Sequence, residues 1–275
     1  MLPFIKELLA KEHITLFAPL PLSECRIQRA YLLERAGIQD GTAIIMAVPY
    51  YTKACDAQGR NLSAYATGPD YHAFFASLFS RIIPTLQKQF PDYRFAGFAD
   101  HSPIDEVHAA VHSGIGVPGD NRLLLTVPYS SYVFLGEIIT NAQLPSDKTE
   151  PGACLHCGAC RKACPMLTGK SETCLSALTQ KKGELSDCEK QLLKEHPLVW
   201  GCDICQEVCP YTKRAKESGS IYSPIPFFAD NAIPRLTLSV LDEMSDEAFA
   251  ARAFSWRGRG VIRRNLLLHE TGRQV

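Results

Sequence analysis

The chain of 275 residues has no net charge, no long apolar run and no signal-peptide core. Each absence removes a class of function. Lys and Arg together number 29, as do Asp and Glu, so the chain as a whole carries no electrostatic footprint for nucleic acid, and such a contact has to come from a local basic patch. The longest apolar stretch, Ala43 to Pro49, is far too short to span a bilayer. Residues 1–12 mix Lys and Glu into their apolar positions, unlike the core of a secretory signal. No internal repeat is visible beyond a doubled cysteine motif. What remains, 46% hydrophobic and 21% charged, is a globular composition with room for one large or two modest domains. The expectation is a cytoplasmic protein with no membrane partner, in a compartment that keeps thiols reduced.

Cysteine, by contrast, is plentiful. Of the eleven, eight fall between Cys154 and Cys209. Cys154, Cys157, Cys160 and Cys164 form C-x₂-C-x₂-C-x₃-C followed by Pro165, the bacterial ferredoxin spacing. Cys202, Cys205 and Cys209, followed by Pro210, repeat that pattern without its first cysteine, and Cys174 is the replacement. Two residues between cysteines let successive thiolates turn round one small cluster, and the proline ends the loop with a fixed φ. Eight thiolates make two [4Fe–4S] clusters. If the chain crosses over as two-cluster ferredoxins do, one cluster takes Cys154, Cys157, Cys160 and Cys209, and the other Cys164, Cys174, Cys202 and Cys205. Zinc is the competing reading, but zinc knuckles need two pairs of ligands and not a tight triplet followed by Cys-Pro. A disulfide scaffold conflicts with the compartment. Cys188 lies outside both spacings, Cys25 reads as a small buried apolar residue, and Cys55 falls in a loop after Tyr51.

Upstream of the cysteines the chain alternates helices and strands. A short amphipathic helix opens it, Ile14 to Phe17 reads as a strand, and Pro19 and Pro21 should break the chain. A helix is expected from Ser23 through Arg35, ending at Gly37. Thr42 to Val48 reads as a buried strand. A loop follows, ending in Ser63-Ala-Tyr65-Ala-Thr-Gly68-Pro-Asp70-Tyr71-His72, with Asp70 as the N-cap of a helix that Pro84 should kink or end. For Tyr71 and His72, first-turn packing and lining a pocket compete. Arg94 to Ala99 is the next strand, with Asp100 just past it. Ser102-Pro103-Ile104-Asp105 reads as a helix start with Ser102 as N-cap, which leaves Asp100 free to point over the carboxyl end of a sheet, where open α/β sheets place ligands. Gly114-Ile-Gly116-Val-Pro-Gly119 matches G-x-G-x-x-G, but it follows a helix and precedes a strand at Arg122 to Val127, so it does not bind a nicotinamide cofactor. Its glycines suit a tight turn or close approach to a flat ligand. Tyr132 to Thr140 makes a further strand, Gln143 to Gly152 a linker, and Leu236 to Ala251 a helix. The tail from Trp256 to Asn265 is a basic patch with Arg257, Arg259, Arg263 and Arg264.

Taken in order, Val48-Pro-Tyr-Tyr51, the Ser63 to His72 stretch, Asp100-x-x-Pro103-x-x-Glu106, Ser131 to Glu137 ending in Phe-Leu-Gly-Glu, both cysteine runs and Arg264-Asn265 resemble the epoxyqueuosine reductases. These are iron–sulfur and cobalamin enzymes of queuosine biosynthesis on tRNA. The resemblance implies an N-terminal α/β (α+β) domain of cobalamin-binding type over residues 1–148, a ferredoxin-like domain with two [4Fe–4S] clusters over 149–215, and a tail, 216–275, packing back on the core. It further implies a base-off cobalamin held by the first domain and facing the nearer cluster, with Tyr71, His72, Asp100, Gly114, Gly116 and Leu135 as cofactor-binding positions and Asp100 as the catalytic proton donor. The implied function is an oxidoreductase that reduces epoxyqueuosine to queuosine in tRNA, with a flavodoxin- or ferredoxin-type electron donor. The chain departs from the family pattern at Asp120, where a lysine is usual, at the missing tryptophan of the Gly114–Asn121 loop, in a shorter spacer from Cys164 to Cys174, and in ending without the helical-repeat extension that longer members use on tRNA. Two alternatives follow: a corrinoid iron–sulfur reductase of a small molecule, and a non-enzymatic two-cluster electron carrier.

Overall fold

A strand with no polar face has to be covered on both sides, and the run from Thr42 imposes that demand on the fold. The computed structural model describes residues 1–146, 152–166 and 174–272. Its strands are β1 (Phe17–Pro21), β2 (Thr42–Pro49), β3 (Phe95–Phe98), β4 (Gly116–Pro118), β5 (Leu124–Thr126) and β6 (Val133–Thr140). The main sheet has the order β1-β2-β6-β3 with every pairing antiparallel, and β4 and β5 form a separate hairpin. All eight residues of β2 are buried. Ala43, Ile45 and Ala47 share one core with Leu20, Ile104, Ala109, Ala110 and Ile139, which puts helix Glu106–His112 on that face. On the other face lies helix Tyr71–Gln89, whose Phe75 and Phe79 rings stack at 5.6 Å. Gly136 and Gly97 admit these rings, since a Cβ on either glycine would come within 2.3 Å of a ring atom.

The chain divides into two units. One comprises Met1–Pro49 and Tyr71–His156, the other Tyr50–Asp70 and Cys157–Val275. The boundary expected at 148–149 and the interior of the spacer between Cys164 and Cys174 lie outside the described residues. In the second unit the segment Tyr50–Asp70 is fixed by backbone bonds from Asn61 to Pro234, from Ser63 to Trp200 and from Asp70 to Ala251. Its core gathers Trp200, Phe254, Leu62, Leu236 and Ile262. A smaller cluster of Met166, Leu175, Leu178, Leu185 and Leu193 carries Cys164 and Cys202 on its side. No helix among the described residues is long and apolar enough to cross a membrane.

Several local expectations give way to tertiary context. Pro19 and Pro21 do not break the chain but lie in β1, an edge strand, where a missing N–H costs nothing. Helix Tyr71–Gln89 continues through Pro84, because burial of Ile82 and Leu86 outweighs one lost backbone bond. The helix expected from Ser23 shrinks to a 3₁₀ turn, Leu22–Glu24, and a helix, Ala30–Ala36, which does end at left-handed Gly37. Between them the backbone is diverted: the amides of Gln28 and Arg29 both donate to the Pro103 carbonyl. Leu236 to Ala251 divides into Leu238–Glu243 and Asp246–Ala250, capped by Thr237 and Ser245. The sheet's antiparallel order also removes the argument that ligands gather at a shared carboxyl end, since β3 and β6 run in opposite directions.

Gly41 offers a test of the tight entry into β2. It sits at φ 137°, and an added Cβ would lie 2.0 Å from the Thr140 carbonyl oxygen. Gly41→Ala is expected to lower the unfolding free energy by about 2 kcal/mol or more, measured as a shifted urea midpoint.

Candidate active site

Asp100 follows β3 in the left-handed region, at φ 63°, a conformation aspartate tolerates better than most residues. Its side chain is 68% exposed, and Oδ2 lies 3.5 Å from Nε2 of His72. Tyr71 stacks on Phe134 with ring centroids 4.3 Å apart and planes 9° from parallel, and its ring also lies 4.2 Å from that of His72. Phe98 pairs with Glu137, so the loop bearing Asp100 leaves the sheet beside the amino-terminal end of β6, where Val133, Phe134 and Leu135 are half-exposed. Tyr71, His72 and Asp100 are thus gathered next to the strand end that carries Leu135. Gly114 and Gly116 have structural reasons of their own. Gly114, at φ 81°, turns the chain after helix Glu106–His112, and a Cβ on Gly116 would come within 2.5 Å of the Leu125 carbonyl oxygen across the hairpin.

Ser102 is not the helix N-cap. Asp105 caps helix Glu106–His112 by accepting from the His108 amide at 3.0 Å. Ser102 turns inward instead: its hydroxyl donates to Oε1 of Glu137 and accepts from the Ile104 amide at 3.1 Å. Glu137 is fully buried in the sheet, and burial pushes its carboxyl well above the ordinary range, with the neighbouring Glu106 adding to the shift. Glu106 is raised to about 7, chiefly by burial. In the sequence these two acids stand only within the stretches that carry the family resemblance. The signal that marks the pair is an acid inside an otherwise apolar strand, Val133-Phe-Leu-Gly-Glu-Ile-Ile139.

In the second unit, helix Ala159–Ala163 packs on helix Ile204–Glu207, which brings Cys160 and Cys164 to the second cysteine run. Burial pushes the Cys205 thiol up to about 11, and Cys174, Cys164 and Cys160 add to the shift. Cys202 rises to about 12, chiefly through burial, with Cys205 and Cys174 contributing. Thiols that oppose one another's ionisation are relieved by a shared cationic core, so this donor set suits a thiolate-ligated iron centre. No disulfide joins the described cysteines, and Cys188 is exposed. In the first unit the ligand atoms of Asp120, Cys154 and His156 lie within 4.8 Å of one another, with Nδ1 of His156 2.9 Å from Asp120. The second cysteine run is tied down by Asp203, almost fully buried between Cys202 and Cys205. Asp203 accepts from Arg60 at 2.6 Å and from the Ala64 amide at 2.8 Å. The basic tail is largely engaged inside the unit. Arg264 donates to the carbonyls of Lys181 and Gly183, Arg259 to those of Leu241, Met244 and Ser245, and Arg263 pairs with Asp242.

No family model matches the sequence. Individual relatives do. An epoxyqueuosine reductase of Listeria monocytogenes is 32% identical over 283 residues, covering 96% of this chain and 73% of the relative. One of Synechocystis sp. is 30% identical over 82% of this chain and 81% of its own length. The chain belongs to the epoxyqueuosine reductase family. Membership in the epoxyqueuosine reductases makes it an oxidoreductase. The fold agrees: the epoxyqueuosine reductase of Streptococcus thermophilus superposes with a TM-score of 0.81 at 24% identity, covering 99% of this chain and 81% of that one. A structure of an epoxyqueuosine reductase with an epoxyqueuosine-modified tRNA-Tyr stem loop superposes at 0.76, with 23% identity, over 98% of this chain and 82% of its own.

Arg60 gives the cysteine region a direct test. Arg60→Met leaves the Asp203 carboxylate buried without its cation, a change that typically costs 3–5 kcal/mol. The variant is expected to unfold at markedly lower denaturant and to retain less iron on anaerobic reconstitution, measured by circular dichroism and iron analysis. Asp203→Asn on the Arg60→Met background should recover part of the stability.

Proposed function

We propose that this chain reduces epoxyqueuosine to queuosine in tRNA, using two [4Fe–4S] clusters and a cobalamin, with Asp100 supplying the proton that the leaving oxygen requires. The observation that carries the reading is the Asp100 carboxyl, exposed beside His72 and the stacked Tyr71 and Phe134 at the open end of β6, in a chain of this family. The half-exposed apolar end of β6, with Tyr71, His72 and Leu135 beside it, suits a flat macrocycle. The eight cysteines, taken as Cys154, Cys157, Cys160 and Cys209 for one cluster and Cys164, Cys174, Cys202 and Cys205 for the other, match the donor chemistry of iron.

When bound, these groups supply electrons singly for removal of the epoxide oxygen. The protein's own residues do the rest. The oxygen leaves as water, which takes two electrons from those groups and two protons, and Asp100 donates one of the protons from a carboxyl oxygen while solvent provides the other. His72, within 3.5 Å, then faces the resulting carboxylate and holds it in place from Nε2. Tyr71, stacked on Phe134, walls the site and excludes water from one side. The electron donor is a small redox protein of flavodoxin or ferredoxin type. The division into a cobalamin-type first domain and a ferredoxin-like second one follows from the same reading.

One observation favours a smaller substrate. Arg259, Arg263 and Arg264 already hold carbonyls and a carboxylate of their own unit, and Asp120 replaces an expected lysine. Anaerobic turnover of an epoxyqueuosine-containing tRNA stem loop decides between the two. Conversion that weakens steeply with salt supports tRNA, and absence of conversion with clusters and cobalamin bound supports a corrinoid iron–sulfur reductase of a small molecule.

Two variants check the roles of named residues. Asp100→Asn is expected to keep iron and cobalamin and to lower turnover by roughly 10²-fold or more; a variant that turns over normally would place the proton donor elsewhere. Cys174→Ser is expected to lose about one cluster's worth of iron while Cys188→Ser loses none, measured by iron and sulfide analysis. A need for Cys188 with Cys174 dispensable would overturn the ligand assignment.

A further inference from the structure

The backbone amide of Asp100 donates to Oε1 of Glu106 at 3.1 Å, and this bond holds the residue in its left-handed conformation. Behind Glu106 lies Glu137, with no exposed surface. Oε1 of Glu137 takes the Ser102 hydroxyl, Oε2 meets no hydrogen-bond partner among the described residues, and Glu106 is the carboxyl that interacts with Glu137. Two carboxylates do not face one another in a buried site without a proton between them. A proton on Glu137 fills the gap, its O–H donating to Glu106, whose Oε1 accepts the Asp100 amide. The base of the loop is fixed independently. Arg29 donates to the Ser102 carbonyl at 3.0 Å, and the amides of Gln28 and Arg29 bind the Pro103 carbonyl.

We infer that Glu106 and Glu137, sharing one proton, are the positioning pair for Asp100. Ionised Glu106 fixes the Asp100 backbone, and the acid form of Glu137 holds Glu106 in place. Neither residue touches the reacting atoms. The inference rests on Asp100 being the acid proposed above, but the backbone bond itself does not. The charged and titratable groups around the pair are Arg29 beside Glu106, Asp100 above it, Cys25 facing Glu137 and itself flanked by Glu24, and His72 against the Asp100 carboxyl. Burial opposes ionisation of Glu106 most strongly and the Asp100 charge adds to it, whereas the Asp100 amide, the Glu137 hydrogen bond and Arg29 favour it, and the balance lies at about 7. A carboxylate accepts an amide more strongly than a carboxylic acid does. The Asp100 loop therefore tightens as pH rises through about 7 and loosens below it.

Amide hydrogen exchange of the full-length protein, read on the peptide covering residues 96–104 and corrected for intrinsic rates, tests this without turnover. Protection of the wild type is expected to rise roughly fivefold between pH 6 and 8. Glu106→Gln keeps an acceptor oxygen and cannot ionise, so its protection should be independent of pH. Glu106→Ala should lose the protection at every pH and lower kcat about tenfold, with KM and iron content unchanged, and Glu106→Gln should recover most of that kcat. Glu137→Leu removes the donor to Glu106 and should move the protection midpoint to higher pH. A wild-type loop whose protection does not change across pH 7 overturns the inference even if no variant folds. So does a Glu106→Gln profile that still follows pH. If Asp100→Asn turns over normally while the exchange results hold, the assignment of Asp100 as the acid fails and the positioning pair stands.

Discussion

A carboxyl group at the centre of a buried sheet has to be neutralised where it stands, and the first unit is arranged around that demand. Glu137 pairs across the sheet with Ile45 on one side and Phe98 on the other, so neither neighbouring strand offers it a polar side chain. Its partners come from outside the sheet: Ser102 from the loop after β3, and Glu106 from the first turn of the helix that follows. Meeting this demand draws the Ser102–Asp105 loop down onto the sheet. It also removes Ser102 from the capping role and moves the helix start to Glu106. The segment Ile27–Arg29 then pairs with the same loop instead of extending a helix. Three departures from local propensity thus have one cause, the cost of an unsatisfied buried carboxyl, which exceeds that of a misplaced cap.

The second unit meets a comparable constraint with an ion pair. Asp203 sits between two cysteines and is almost fully buried; Arg60 and the Ala64 amide satisfy it from the segment Tyr50–Asp70. Arg60 also reaches Glu207 at 2.8 Å, in the helix that carries Cys205. A stretch that follows β2 in sequence therefore folds with the cysteine runs and not with the sheet. Arg252 strengthens the arrangement by donating to the Thr67 carbonyl, and Asn265 donates to the carbonyls of Thr179 and Val199 at 2.7 and 2.8 Å. These bonds give Arg264-Asn265 a structural role within the unit.

How much of this was legible in the sequence depends on the range of the interaction. Spacing alone brings out the two cysteine runs, because the chemistry of a cluster is written in intervals of two and three residues. Apolar, β-branched runs marked β2, all of it buried, and β6, whose carboxyl-terminal five residues are buried. Helix ends governed by one residue were also legible, such as Gly37 at its left-handed position. Readings that assumed local rules failed where a distant partner intervened. Pro84 is carried inside a helix by packing, Ser102 is captured by an acid 35 residues away, and Arg60 finds Asp203 across 143 residues. No window of the sequence contains those pairs. Asp100 is an intermediate case: its position after a strand was visible, but the backbone bond that holds it depends on Glu106 in the next helix.

The engagement of the tail's arginines narrows how this oxidoreductase meets its substrate. Arg259, Arg263 and Arg264 are tied to carbonyls and a carboxylate, and Arg257 stacks on Trp256 with 3.7 Å from its guanidinium carbon to the ring centroid. Trp256 is 56% exposed. Arginines fixed to their own backbone contribute less to a phosphate contact than mobile ones, since each would have to give up a satisfied carbonyl first. An exposed indole backed by a guanidinium keeps its stacking face whatever the salt concentration. The exposed face of Trp256 is thus the part of the tail that is not spent on contacts to its own backbone.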